Sequence, residues 1–112
     1  MTPESRRIRR RVIDDAEKKL HLGISTISIS GVKFVLFLIP GGRPLLALFK
    51  STGEVPTSEE RSQLTYADSI GYDVLWSTSY DGAMCTIKNR VRYARMIRDQ
   101  KTGCYIKNRE GV

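Results

Sequence analysis

Two almost uninterrupted apolar runs, separated by a tight turn, constrain this chain more than any other feature. Residues 32–39 read VKFVLFLI and residues 45–49 read LLALF, and the turn Pro40-Gly41-Gly42-Arg43 lies between them. Apolar runs without polar alternation are typical of strands buried on both faces, and Pro and Gly favour the turn. The pattern therefore predicts a hairpin over 32–50 that other elements cover on both faces.

The flanking segments predict helices and strands that would provide this cover. Thr2-Pro3-Glu4 is typical of a helix start, and Thr57 with Glu60 matches a capping box. Apolar residues recur at every fourth position from Ile8 to Leu20, as in an amphipathic helix. The predicted elements are a helix over 3–20, strands over 24–30, 32–39 and 45–49, a helix between Thr57 and Gly71, a strand over 72–76, and a helix from Asp81. The second helix would face the core with Leu64, Ala67 and Ile70. The last helix would do so with Met84, Ile87, Val91, Ala94 and Ile97. We therefore expect one small α/β domain of order α-β-β-β-α-β-α, a small mixed sheet flanked by helices.

Positive charge is concentrated at the two ends of the chain. The net charge is +7, from 19 Lys and Arg against 12 Asp and Glu in 112 residues. Residues 1–20 and 81–112 carry the excess, whereas residues 21–80 are nearly neutral. Clustered positive charge on helices is typical of proteins that bind polyanions, although a basic surface without a partner has the same composition.

The sequence argues against several other classes of protein. No apolar run approaches the roughly 18 residues of a membrane-spanning helix, and Asp14 and Asp15 interrupt any signal peptide, so we expect a cytoplasmic protein.

Cys85 and Cys104 suggest neither a zinc site nor a disulfide framework, but a single disulfide bridge between them remains an alternative. His21 is expected to pack or cap at a helix end. Trp76 and Tyr80 are expected in the core or at its rim, with stacking on bases as the alternative.

Four segments carry a resemblance to a known family: Gly31 to Arg43 (GVKFVLFLIPGGR), Leu45 to Lys50 (LLALFK), Pro56-Thr57-Ser58, and Gly71-Tyr72-Asp73-Val74. Together they resemble the VRR-NUC branch of the PD-(D/E)xK nuclease superfamily, whose small phage members are similar in length and layout. The similarity runs from about residue 6 to 95. It implies a restriction-endonuclease-like core in a domain over 1–98. Residues 99–112 are polar and basic, and we expect a tail that is either a small hairpin around Gly103 or disordered.

The resemblance also implies a chemistry that this sequence has lost. Nucleases of the family hold a divalent metal between an Asp and a Glu, and a Lys helps position water and neutralise the phosphate. Here Phe34 occupies the Asp position and Leu48 the Glu position, while Lys50 remains and Glu60 aligns with a Gln that such families often carry. Phe and Leu have no ligand atoms, so we expect neither the usual metal site nor any cofactor.

The acidic residues of the first helix and Lys50 each allow two interpretations. A migrated metal site would join Asp14 or Glu17 to Glu54 or Glu60. The alternative, which we favour, is that Asp14, Asp15 and Glu17 are helix-surface charges paired with Arg10, Arg11 or Lys18. Lys50 is expected either as a retained phosphate contact or as a solvated lysine at a strand end.

The sequence as a whole favours a catalytically inactive, nuclease-like protein that binds nucleic acid, DNA above all, through its basic helices. Small members of the family look dimeric, so a homodimer is expected as well. Two alternatives are a phage-encoded modulator that binds a host protein and a metal-dependent endonuclease with a migrated site. The residues expected to contact phosphates are Arg6, Arg7, Arg9, Arg10, Lys50, Lys88, Arg92 and Arg95.

Overall fold

The computed structural model describes residues 2–102, with the side chains of residues 2–97. The elements are α1 (Pro3–Leu20), β1 (Gly23–Ile29), β2 (Val32–Leu38), β3 (Leu45–Phe49), α2 (Ser58–Ser69), β4 (Asp73–Ser77) and α3 (Tyr80–Thr102). This confirms the expected α/β class and the order α-β-β-β-α-β-α.

The four strands form one mixed sheet in the order β1-β2-β3-β4. β1 pairs with β2 and β2 with β3 in antiparallel fashion, whereas β3 and β4 are parallel. Parallel neighbours need a crossover connection, and α2 lies within it. The register places Phe34 opposite Ile27, Leu36 opposite Leu46, and Leu48 opposite Trp76.

Helices cover both faces of the sheet, as the apolar hairpin requires. Val35, Phe37 and the first, third and last residues of β3 pack against α1 and α3. Phe34, Leu46 and Leu48 pack on the opposite face against Leu64 and Ala67 of α2. All of β3 is buried, which confirms the expectation for residues 45–49. β2 is buried at its centre, but Lys33 and Leu38 at its ends are exposed.

The caps of α1 are as its sequence indicates. The Thr2 side chain accepts a hydrogen bond from the backbone N–H of Ser5, and Pro3 opens the first turn. His21 ends the helix in the left-handed conformation at φ 56°, and its N–H bonds to the carbonyl of Ala16. His21 therefore has the capping role expected of it.

The strands β1, β2 and β4 differ by one residue at their ends from the expected ranges, and three further details differ as well. Ser30, predicted as strand, lies with Gly31 in the β1–β2 turn, where both residues have positive φ. Ile70, predicted on the apolar face of α2, is 54% exposed because the helix ends at Ser69. α3 begins at Tyr80 and continues to Thr102, past the expected boundary at 98. The rest of the tail, with Gly103 and Cys104, lies outside the described residues.

Within residues 2–102, no helix combines the length and apolarity that crossing a membrane requires.

Gly42 allows the β2–β3 turn to approach α3 closely. A Cβ atom at Gly42 would lie 2.8 Å from Cβ of Ala94 and 3.2 Å from Cγ2 of Ile39. We expect Gly42→Ala to lower the free energy of unfolding by about 1–3 kcal/mol through overpacking. The same substitution should cost less in an Ala94→Gly background, which makes room for the added methyl group. Urea unfolding of the two single variants and the double variant measures this coupling, and strictly additive effects would contradict the contact.

Candidate nucleic-acid interface

Both basic helices lie on the same face of the sheet. Val12 and Ala16 of α1 share one buried cluster with Ala83, Met84 and Ile87 of α3. In sequence, α1 carries seven Lys and Arg against four acids and α3 carries six against two. α2, on the opposite face, carries one against three. We call α1 and α3 together the basic layer, since the sheet separates them from the more acidic α2.

The predicted α1 residues divide into two groups. Arg6, Arg7 and Arg10 are exposed, whereas Arg9 is half-buried. Arg6 and Arg9 line a cleft at the N-terminal end of the helix, which Arg7 and Arg10 do not.

Arg11, Asp15 and Tyr80 tie α1 to the start of α3. The Arg11 guanidinium lies 3.8 Å from the centroid of the Tyr80 ring, and the Tyr80 hydroxyl donates to the Asp15 carboxylate. That hydrogen bond holds the pKa of Asp15 below its usual value, with help from Lys19, 3.6 Å away. Asp15 therefore pairs with Lys19 rather than with Arg10, Arg11 or Lys18 as expected. With Arg11 over its ring, Tyr80 joins two helices rather than offering a free base-stacking surface.

On α3 the predicted basic residues all lie at the surface. Lys88, Arg92 and Arg95 are exposed, as the helical spacing indicates. Arg90 has a different environment, because its Nε lies 3.8 Å from the Asp73 carboxylate at the β4 edge. The exposed trio is therefore accessible to a large ligand, and Arg90, which is also exposed, lies beside the Asp73 carboxylate.

A cleft of about 370 Å³ opens where β3 ends and α1 begins. Its basic residues come from three elements: Arg6 and Arg9 from α1, Lys33 from β2 and Lys50 from the end of β3. Glu54 and Glu60 supply its acids. Lys33 was not predicted as a site residue, although a single charge in the apolar run 32–39 was a signal for it.

Lys50 forms a salt bridge with Glu60. Its Nζ atom lies 3.1 and 3.2 Å from the two carboxylate oxygens, and each side chain is only 15% exposed. Burial raises the pKa of Glu60, but hydrogen bonds from the Thr57 amide and from Lys50 outweigh it and bring the pKa below its ordinary value. The expectation of a solvated strand-end lysine was therefore wrong.

Two carboxylates near the cleft accept hydrogen bonds from neighbouring loop residues. Glu54 accepts a 2.7 Å hydrogen bond from the Ser51 amide, and Glu4 accepts from the amide and hydroxyl of Thr52. Asp14 and Glu17 do not line the cleft, so the structure does not bring them together with Glu54 and Glu60. Among the described residues, no group of three or more His, Cys, Asp or Glu side chains is placed to hold a metal ion.

Phe34 and Leu48 belong to the core at the two positions where the resemblance implies metal ligands. Phe34 is fully buried and Leu48 is 3% exposed, and both pack in the cluster beneath α2. Leu48 also forms part of the cleft wall. These two positions therefore provide apolar surface rather than oxygen ligands.

The remaining predicted residues have no part in the cleft. Trp76 is 43% exposed, on the edge strand β4. Cys85 is exposed on α3, and its suggested partner Cys104 lies outside the described residues.

Comparison of the chain with family models, curated proteins and solved structures finds no match.

Restoring the two carboxylates should destabilise the fold. We expect Phe34→Asp with Leu48→Glu to cost several kcal/mol of unfolding free energy, because a buried carboxylate loses its hydration or must stay protonated. Phe34→Leu with Leu48→Met is the matched control, since it keeps the cluster apolar and should cost less per site. Thermal unfolding without metal compares the two double variants, and unchanged stability of the acidic variant would show an open, hydrated site.

Proposed function

We propose that this protein binds the phosphate backbone of a nucleic acid and does not cleave it. The observation that carries the proposal is the segregation of charge across the sheet, with α1 and α3 on one face and α2 on the other. Phosphate contacts from Lys and Arg provide most of the affinity in sequence-independent binding. A basic layer formed by two adjacent helices suits a long polyanion better than a small anionic ligand.

The cleft supports the same proposal at closer range. Arg6, Arg9 and Lys33 converge there from different elements, and none of them is in an ion pair among the described residues. Guanidinium groups bind phosphate oxygens in a bidentate manner. We assign the first phosphate contacts of the cleft to these three residues. Lys50 joins them where a phosphate competes with Glu60 for its ammonium group.

The absence of cleavage follows from Phe34 and Leu48. A nuclease of the family that the chain resembles needs at least two hard ligands to hold its metal beside the phosphate. Apolar side chains at these positions supply none. The protein would then keep the shape and charge of a nuclease surface without its chemistry, as a pseudo-nuclease.

An acidic host protein is the second candidate partner. Tyr93 is 57% exposed and Met96 is 39% exposed on α3, and both residue types are enriched in protein interfaces. A modulator of this kind would use α3 without contacting phosphates. Salt-dependent binding to nucleic acid separates the two candidates.

We expect no cleavage of plasmid, linear or branched DNA in the presence of Mg²⁺ or Mn²⁺. Gel analysis of nicking over a long incubation tests this, with Glu54→Gln and Glu60→Gln variants prepared in parallel. Metal-dependent cutting that disappears in either variant would establish a rebuilt active site and contradict the proposal. Cutting that persists unchanged in both variants would indicate a contaminating nuclease.

Binding to a duplex should weaken as salt is raised, because each neutralised phosphate releases counterions. Log affinity should fall with log salt by about 0.9 per phosphate neutralised. Replacing Lys88, Arg92 and Arg95 by Ala should weaken binding equally for unrelated sequences and flatten this slope by about 0.9 for each phosphate that the variant no longer neutralises. Gel shifts or fluorescence anisotropy at several salt concentrations give both quantities.

Two further variants make this test specific. Arg6→Ala with Arg9→Ala removes cleft charges and should also flatten the slope. Arg61→Ala removes a guanidinium from α2, across the sheet, that donates a hydrogen bond to the Pro56 carbonyl, and should leave the slope unchanged. No binding near physiological salt, or an equal decrease in affinity for all three variants, would contradict the proposed surface and favour the protein partner.

A further inference from the structure

A second cavity, of about 430 Å³, lies where the β2–β3 turn meets α3, and we call it the turn cavity. Asp73 in its lining pairs with Leu45 at the start of β3, whereas the cleft opens where β3 ends. The two openings are therefore at opposite ends of the sheet. The apolar lining of the turn cavity includes Ile39 and Ala94, each 5% exposed. Its volume is within the roughly 300–1,000 Å³ of sites for small organic ligands.

The turn lies against α3 through backbone alone at two positions. Gly41 has a φ of 78°, a conformation that favours glycine. Gly42 lies so close to α3 that a Cβ atom there would be 2.8 Å from Cβ of Ala94. Both glycines line the turn cavity without contributing a side chain to it. A flat ring can therefore approach the backbone of the turn.

An aromatic side chain also lines the turn cavity. Tyr93 is 57% exposed there, and its ring has no cation–π partner among the described residues. Unpaired nucleobases of any sequence stack on exposed aromatic side chains, because every base has a π-face. Tyr93 therefore offers the free stacking surface that Tyr80, covered by Arg11, does not.

Charged side chains of both signs line the same cavity, namely Arg43, Asp73 and Arg90. Arg43 is exposed and forms no ion pair in the part of the chain that the structure describes. The Asp73 amide donates to the Pro44 carbonyl at 3.0 Å, which holds Asp73 beside the turn. The Asp73 carboxylate lies 3.8 Å from Nε of Arg90, beyond hydrogen-bond distance, so this contact leaves its oxygens able to accept from a ligand. The cavity thus offers two cations and one acceptor.

We propose that the turn cavity binds one unpaired nucleotide of a nucleic-acid strand, with the base against Tyr93, its amino group at Asp73 and the phosphate at Arg43. A phosphodiester carries one negative charge, which matches the excess of one positive charge in the cavity. Adenine, cytosine and guanine each carry an exocyclic amino group that donates to a carboxylate, whereas thymine has carbonyl oxygens instead. The cavity should therefore disfavour thymine.

The combination of groups in the lining selects this occupant. A small aromatic acid would match the ring and the positive charge, but it would leave the Asp73 carboxylate without a donor. The aromatic side chains of a protein partner carry no negative charge for Arg43. A nucleotide supplies the ring, the donor and the anion together.

The position of the cavity on α3 connects it to the basic layer. Arg92 and Arg95 are exposed and adjoin Tyr93 and Ala94 in the helix. A strand whose phosphates follow these arginines passes beside the cavity. The inference rests on the proposed nucleic-acid binding and adds to it a preference for unpaired bases, because a base inside a duplex is stacked on its neighbours and does not reach Tyr93.

Two forms of one DNA duplex test this preference, the first blunt and the second with an overhang of three cytosines. Fluorescence anisotropy gives the affinity of the full chain for each. We expect the overhang form to bind about tenfold more tightly, because a stacked base contributes about that factor. Tyr93→Ala should remove the preference while circular dichroism stays native, and Tyr93→Phe should keep it. Tyr66→Ala is the matched control, since Tyr66 is 62% exposed on α2, and it should also keep the preference.

An overhang of three thymines tests the contact with the base, because it adds the same number of phosphates. It should bind roughly fivefold more weakly than the cytosine overhang, since Asp73 then receives no amino group. Asp73→Asn keeps the size of the side chain and supplies a donor of its own. This variant should abolish the difference between the two overhangs.

Three results with measurable binding would overturn the proposal: equal wild-type affinity for the blunt and cytosine forms, a preference that survives Tyr93→Ala, or equal affinity for the two overhangs. Failure of the proposed function is a separate result, in which the wild type binds none of the duplexes. The dinucleotide CpC at millimolar concentration then tests the cavity alone. It should shift the NMR amide signals of Gly42, Arg43 and Asp73 in the wild type but not in Tyr93→Ala, and absence of these shifts would overturn the proposal.

Discussion

The burial of β3 on both faces determines the rest of the structure. Its side chains alternate between α1 with α3 on one side and α2 on the other, and all five are buried. Buried backbone polar groups must be paired, so β3 needs a neighbouring strand on each side, which β2 and β4 supply. The parallel pairing with β4 in turn requires the crossover that contains α2. The five apolar side chains of β3 require helices on both faces, and its backbone amides require strands on both sides. Together these two requirements give three layers: α1 with α3, the sheet, and α2.

The same burial limits the chemistry available at the end of β3. Phe34 and Leu48 pack into the cluster beneath α2, where a carboxylate would be desolvated without a partner. Charged side chains lie near this cluster where β3 ends, at Lys50 and at the N-terminus of α1. There the Lys50–Glu60 pair links β3 to α2, and Arg6 with Arg9 brings positive charge from the other layer. The cleft is therefore lined by basic side chains, by Glu54 and Glu60, and by apolar residues that include Leu48.

Local patterns predicted most of the fold, because the residues that specify each element are adjacent in sequence. Thr2-Pro3-Glu4 specifies the start of α1, and Thr57 with Glu60 forms the predicted capping box. Features that depend on distant residues were not predicted. The Lys50–Glu60 pair depends on how α2 packs against the end of β3, and the contribution of Lys33 to the cleft depends on the proximity of α1. Ser30 continues the alternation of apolar and polar residues in β1, so the sequence predicts it as strand. In the structure it has positive φ and belongs to the β1–β2 turn.

The central claim is that the basic layer, rather than α2, faces a polyanion. Titration of the isotope-labelled protein with a short DNA duplex, followed by NMR chemical shifts of backbone amides and arginine side chains, tests this claim most directly. We expect shifts along α1 and α3 and around the cleft residues Arg6, Arg9 and Lys33, with α2 unchanged. Shifts concentrated on α2, or none near physiological salt, would contradict the claim.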